Sequence, residues 1–205
     1  MMRKFFLTAL VTSLTAAMAL AQNPVGTTAT TTQTRTKTDA QTTTATRAAV
    51  SDPLFASAAA LSGLAEVTIS RIGLTRATNP DLKTFSQRMI DEHTRLNREL
   101  IDLSATKRIV LPVVLDPRAQ FCAQSLVGLT GDEFDRCYAK AQYVAHMDAV
   151  AMFEAEAERG LDPDVRAWAA RTLPHLKEHL SMVKPWAMKA EKDKPSTSDR
   201  ANPEK

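Results

Sequence analysis

The sequence predicts an all-α fold: an antiparallel four-helix bundle with a longer connection between its second and third helices. Three observations carry this. Apolar residues recur at three- and four-residue steps through most of residues 51–188, and no stretch reads as a strand. Asp52-Pro53, Asn79-Pro80 and Asp162-Pro163 each place a capping side chain before a proline suited to the first helical position. The joints after the first and third helices are short, whereas Ile109 to Leu129 holds Pro112 and Pro117 and forms a long connection.

In chain order, Met1–Ala21 reads as a secretory signal peptide. Arg3 and Lys4 precede an apolar stretch too short and too interrupted for a membrane span, and Ala19-Leu20-Ala21 offers a small-x-small cleavage site after Ala21. The mature chain is therefore expected in the periplasm or outside the cell, without an integral membrane span. Residues 22–50 are Thr/Ala-rich and have too little to bury to offset the entropy of ordering, so they read as a disordered linker. Residues 189–205 read as a polar disordered tail. The domain between them, residues 51–188, carries 16 Lys and Arg against 18 Asp and Glu, and 16 − 18 = −2. The positive balance of the whole chain thus comes from its ends, and no basic stripe argues for nucleic acid.

The first helix is expected over about Pro53–Ala77. The second, from Pro80 to Lys107 or Arg108, has the cleanest seam: Leu82, Phe85, Met89, His93, Leu96, Leu100 and Leu103. A short helix is expected at about Arg118–Leu126. The third main helix runs from Thr130 to Gly160, with Thr130 and Glu133 spaced for a capping box and Gly160 placed as a terminal glycine. Tyr143, His146, Val150, Phe153 and Ala157 follow its apolar stripe. The fourth runs from Pro163 toward Lys189, with bends expected at Pro174 and Pro185.

Two seam histidines raise the question of chemistry. With both short turns set at one end of the bundle, Glu66, His93, His146 and His179 each lie about 12 to 16 residues from that end, or roughly 18–24 Å at helical rise. One candidate ligand per helix would then arrive in one layer. Imidazole and carboxylate are the usual ligands of Zn, Fe and Mn, so a transition metal held by these four residues is the chemistry the pattern offers. Asp91 or Glu92, flanking His93, would hold an imidazole N–H. His175, one turn from His179, is an alternative ligand. Taken singly, each histidine reads as an ordinary hydrogen-bonded core residue. The methionines read as core filler.

Four stretches, FASAAALSGLAEV (Phe55–Val67), LKTFSQRMIDEHTRLNREL (Leu82–Leu100), FDRCYAKAQYVAHMDAVAMFE (Phe134–Glu154) and LPHLKEHL (Leu173–Leu180), together resemble the ferritin-like domain-of-unknown-function family 4142. Its members are labelled outer-membrane or periplasmic proteins. The resemblance implies a ferritin-like bundle, carries Glu66, His93, His146 and His179 as the family's polar positions, and implies no established reaction. The sequence departs from the di-iron pattern, having no Glu-x-x-His on two helices and few inward Glu residues.

Cys122 and Cys137, an even pair in an exported chain, are expected to form a disulfide worth around 3 kcal/mol for a loop of about 15 residues. No serine or cysteine stands with a base in a nucleophile motif. The function expected is metal binding in the bundle core, in the service of envelope stress protection. Its rivals are a structural or interaction protein of the cell envelope with merely buried histidines, and an oxidative enzyme with an open metal position.

Overall fold

A computed structural model describes residues 48–192. The signal peptide, most of the linker and the end of the tail lie outside these residues. Five helices follow in order: α1 (Asp52–Arg76), α2 (Pro80–Lys107), α3 (Pro117–Val127), α4 (Gly131–Arg159) and α5 (Pro163–Lys192). There is no strand among the described residues, only an isolated bridge between Val50 and Gly160.

The helix starts follow the capping chemistry of the sequence with two exceptions. Asn79 accepts from the Asp81 N–H (2.8 Å), Asp116 from Ala119 (2.7 Å), and Asp162 from Asp164 (2.9 Å) and Val165 (3.2 Å). At α1 the cap position falls to Ser51, and Asp52 becomes the first helical residue. Its carboxylate instead accepts the backbone N–H groups of Leu161 (2.9 Å) and Asp162 (3.1 Å), binding the start of α1 to the α4–α5 turn. The capping box expected at Thr130 does not form. Gly131 enters α4 with φ +58°, a left-handed step that glycine takes without Cβ strain, and the Thr130 side chain makes no cap bond.

α1 packs on α2, α4 on α5, α1 on α4 and α2 on α5, which closes a four-helix ring; α3 lies against α1 and α4. The two short turns are not at the same end, contrary to the arrangement assumed from the sequence. The α1–α2 turn binds the start of α4, with Asp135 accepting from the Thr78 N–H (2.9 Å), the Thr78 hydroxyl (2.5 Å) and the Asn79 N–H (2.9 Å). At the opposite end Lys107 pairs with Asp162 (2.8 Å) and Asp164 (2.6 Å) beside the α4–α5 turn. The connection carrying α3 therefore runs the length of the bundle. α2, with 28 residues, is about 42 Å long, which is why that connection must be long. The expected common depth survives because each candidate ligand sits near the middle of its own helix.

Two apolar clusters fill the ring. Toward the α4–α5 turn, Phe55, Phe153 and Trp168 meet with ring centroids 4.9–6.1 Å apart, in edge-on and tilted arrangements that add about 0.5–1.5 kcal/mol per pair beyond area burial. Toward the α1–α2 turn, Phe85, Met89, Phe134, Tyr138 and Val183 are fully enclosed. Close helix approach needs glycine here: a Cβ on Gly73 would stand 2.4 Å from the Tyr138 ring, and one on Gly63 1.8 Å from Asn97 Oδ1. α1 is the one helix among the described residues long and apolar enough to cross a membrane, yet it turns Phe55, Ala56, Ala59, Glu66 and Ile69 into the bundle.

Glu156 lies fully buried near the end of α4, and a Cβ on Gly160 would come 2.2 Å from its Oε1, so Gly160 is there for space. Burial first, and the Asp52 carboxylate second, push the Glu156 carboxyl up to about 7. A carboxyl whose folded pKa lies above its unfolded value favours the folded state most below the unfolded pKa, and this contribution is lost as pH rises through about 7. Melting curves from pH 5 to 8 are expected to show falling stability in wild type and a flatter profile in Glu156→Gln; equal slopes would contradict the assignment.

The expected disulfide is absent: Cys122 and Cys137 are free thiols. Cys122 turns inward against the second apolar cluster, whereas Cys137 occupies the exposed side of α4 next to buried Tyr138. An even cysteine count carries no information about facing direction, and here the two side chains face apart. Burial, ahead of the Glu66 charge, raises the Cys122 thiol pKa. Two alkylatable thiols are expected without reductant, Cys137 fast and Cys122 slow. Recovery of no free thiol from the unfolded oxidised chain would restore the bridge.

Candidate metal centre

Between the two apolar clusters lies a polar layer built from three helices. α2 supplies His93, α4 supplies His146 and α5 supplies His179, with 5%, 1% and 0% of their surfaces exposed. Each occupies its helix's inward seam. His93 falls between Met89 and Leu96, and His179 between Leu176 and Val183, at the steps that bury those neighbours. On α4 the buried stripe runs through Gln142, His146, Ala149, Phe153 and Glu156. Tyr143, Val150 and Ala157, expected in it, are half-buried at its edge. The ring centroids of the three imidazoles are 5.3–5.7 Å apart. One nitrogen from each ring falls within 4.8 Å of the other two, and among the described residues these three histidines form the group with that spacing.

Two of the rings are tied at one nitrogen, which leaves the other nitrogen's lone pair unused. His146 Nδ1 donates to the Gln142 carbonyl (2.9 Å) and leaves Nε2 without a hydrogen-bond partner. His179 Nε2 donates to Glu92 Oε2 (2.9 Å) and leaves Nδ1 without one. His93 Nε2 is a third buried nitrogen without a partner. Unpaired polar atoms are rare in a packed core because each forfeits its solvation. Three rings that each bring one nitrogen within 4.8 Å of the others, two of them tied at one nitrogen to an acceptor, form the arrangement by which proteins hold imidazole toward a cation.

The electrostatics agree. Burial first, then His146 and His179, hold His93 well below the usual histidine pKa. Burial and then His146 bring His179 down to about 4 despite Glu92. Both rings are thus neutral near pH 7, the state that binds metal. Burial pushes the Glu92 carboxyl up, but Arg88 and His179 outweigh it and hold the pKa below the usual range. Arg88 bridges Glu92 (2.6 Å) and Glu178 (2.8 Å), fixing the carboxylate that fixes His179.

Glu66 stands beside the triad. Its Oε1 is 3.7 Å from His146 Nδ1, the nitrogen turned to Gln142, and its Oε2 has no hydrogen-bond partner. Burial, opposed by His146 and Gln142, raises its carboxyl pKa. His175 is 44% exposed, with Nδ1 3.6 Å from Glu92 Oε2, at the surface side of the same carboxylate. Asp91 accepts from Gln87 (2.9 Å) and takes no part. Below the layer Gln142 donates to Ser70 (3.1 Å), and Tyr138 and Ser86 share a hydrogen bond of 2.7 Å. A cavity of about 20 Å³ reaches His93 between Gly63, Leu96, Asn97 and Trp168, room for one water-sized molecule.

Fold and site together define an all-α helical bundle with a buried three-histidine cluster able to hold a metal ion. The chain belongs to the family described as Domain of unknown function (DUF4142), whose model matches residues 35–185. Among solved structures it is similar to a DUF305 protein from Streptomyces coelicolor, with a TM-score of 0.58 and 15% identity over 68% of this chain and 92% of that one, a likeness of fold alone. No curated protein matches the chain.

Proposed function

We propose that this protein is an exported metal-binding bundle whose ion is held by His93, His146 and His179. The observation that carries the reading is the set of three buried histidines that each bring a ring nitrogen within 4.8 Å of the other two, each ring also keeping one nitrogen without a hydrogen-bond partner. A tetrahedral ion with bonds of about 2.0–2.2 Å needs nitrogens about 3.4 Å apart, inside the 4.8 Å within which these three lie, so the rings would draw in around it. Nitrogen ligands suit Zn, Fe and Mn alike; the ion would supply positive charge and Lewis acidity where the chain offers lone pairs. Glu92 and the Gln142 carbonyl orient two of the rings, and Arg88 orients Glu92. Glu66, whose carboxylate is the fourth expected ligand, in this arrangement neighbours His146 and would reach the ion only after a side-chain turn. The cavity beside His93 limits an additional ligand to water size, which favours holding an ion over acting on a large substrate. Sequestering a transition metal in the cell envelope would serve stress protection there.

The test is a competition titration of untagged, chelator-stripped protein with Zn, Fe(II) and Mn against a chromophoric chelator. One ion per chain is expected. Glu92→Gln keeps the shape but weakens the acceptor for His179, and affinity is expected to fall about 10–100-fold. Stoichiometric binding that Glu92→Gln leaves unchanged would count against this site.

A further inference from the structure

The three rings of the triad are closed to solvent, so an ion bound for them must give up its water on the way. Taking a divalent cation out of water with nothing in exchange is costly, and a route inward therefore needs ligands of its own. The partners of the rings differ in this respect. Gln142, whose carbonyl holds His146, is buried, whereas Glu92, which holds His179, is 22% exposed in the seam between α2 and α5. His175, one turn before His179 on α5 and half-exposed, meets the same carboxylate oxygen.

Glu92 Oε2 is 2.9 Å from His179 Nε2 and 3.6 Å from His175 Nδ1. The first separation is a hydrogen bond, and the second is too long for one. It does suit a cation: bonds of about 2.0–2.2 Å to two atoms 3.6 Å apart meet at roughly 110–130°, close to the tetrahedral angle. A carboxylate oxygen has two lone pairs, so Oε2 can keep the His179 N–H and still face an ion. Glu92 and Glu178 both pair with Arg88, two carboxylates against one guanidinium, which leaves this seam attractive to positive charge.

We infer that His175 and Glu92 form the entry site for a divalent cation bound for the triad, an inference that rests on the triad reading and adds the route to it. His175 Nδ1 and Glu92 Oε2 replace part of the ion's water at the surface. Glu92 stays in reach of His179 while His175 is exchanged for a core imidazole. His175 is then a ligand of passage and not of the resting site. A group that touches the ion only in passage lowers a barrier shared by entry and exit, so its loss slows both by one factor and leaves the affinity unchanged. A resting ligand would change the affinity, and an ordinary surface ion pair would change neither.

The experiment follows zinc in the untagged full mature chain. Loading is read as zinc leaves a weak chromophoric chelator, and release as loaded protein meets enough EDTA that its rate no longer depends on EDTA. His175→Ala is expected to slow loading and release alike by about tenfold, the effect of about 1.4 kcal/mol in the shared barrier, with Kd unchanged. Asp91→Ala, which removes an exposed carboxylate next to Glu92, is the control for bulk charge and should leave both rates as they are. Unchanged rates in His175→Ala, a changed Kd with unchanged loading, or equal slowing in Asp91→Ala overturns the entry site. The two readings fail differently: stoichiometric zinc with unaltered rates removes the entry site alone, whereas wild-type protein that takes up no zinc removes the triad and its entry together.

Discussion

His146→Ala is expected to lose at least about 100-fold in metal affinity while the bundle stays folded. His146 is buried within the layer, with its ring 5.7 Å from His93 and 5.3 Å from His179. Its removal leaves two nitrogens facing a space sized for three. Wild-type protein at a free-metal concentration of 100 times Kd should gain about 2.7 kcal/mol of stability, a rise of several degrees in Tm. The variant should gain almost none at the same concentration. Thermal melts with and without metal check this. An equal rise in both proteins would place the ion elsewhere, as would a rise lost only in His175→Ala.

Phe85→Ala is expected to cost about 3–5 kcal/mol, a large share of the stability of a domain this size. Phe85 is fully buried, and its ring lies 6.3 Å from that of His146 and 5.9 Å from that of Trp186. The truncation opens a void directly under the histidine layer, so metal affinity should fall as well, because the imidazoles lose the wall that sets their rotamers. Denaturant unfolding gives the first number and chelator competition the second. Leu161→Ala, at a side chain 68% exposed, is the control and should change stability by less than about 0.5 kcal/mol. A Phe85 variant as stable as the control would contradict the packing described here.

Much of this arrangement is legible in the sequence because helix seams are periodic. On α2 the steps from Leu82 to Leu100 put His93 inside without ambiguity. α4 is harder: its alanines make the stripe broad, so Gln142 and Glu156 pass for surface residues although both are buried. Glu92 is visible as a neighbour of His93 in sequence, yet the helix turns it toward α5, where it meets His179. No local pattern encodes a contact between helices. The same gap explains the cysteines, whose parity says nothing about the faces of α3 and α4 they occupy. It also explains the two turns placed at one end, although the long Ile109–Leu129 connection was a usable sign that the chain crosses the bundle before α4 begins. Glu66, expected at the depth of the histidines, is buried with Oε1 3.7 Å from His146 Nδ1, a side-chain approach that spacing does not reveal.

Anomalous X-ray diffraction from crystals of zinc-loaded protein, collected on either side of the zinc edge, puts the account to its most direct trial. The triad predicts one strong peak enclosed by His93, His146 and His179, about 2.0–2.2 Å from a nitrogen of each ring. A peak at His175 on the surface, with hydrogen-bonded rings and no density between them, would leave the core histidines as packing alone.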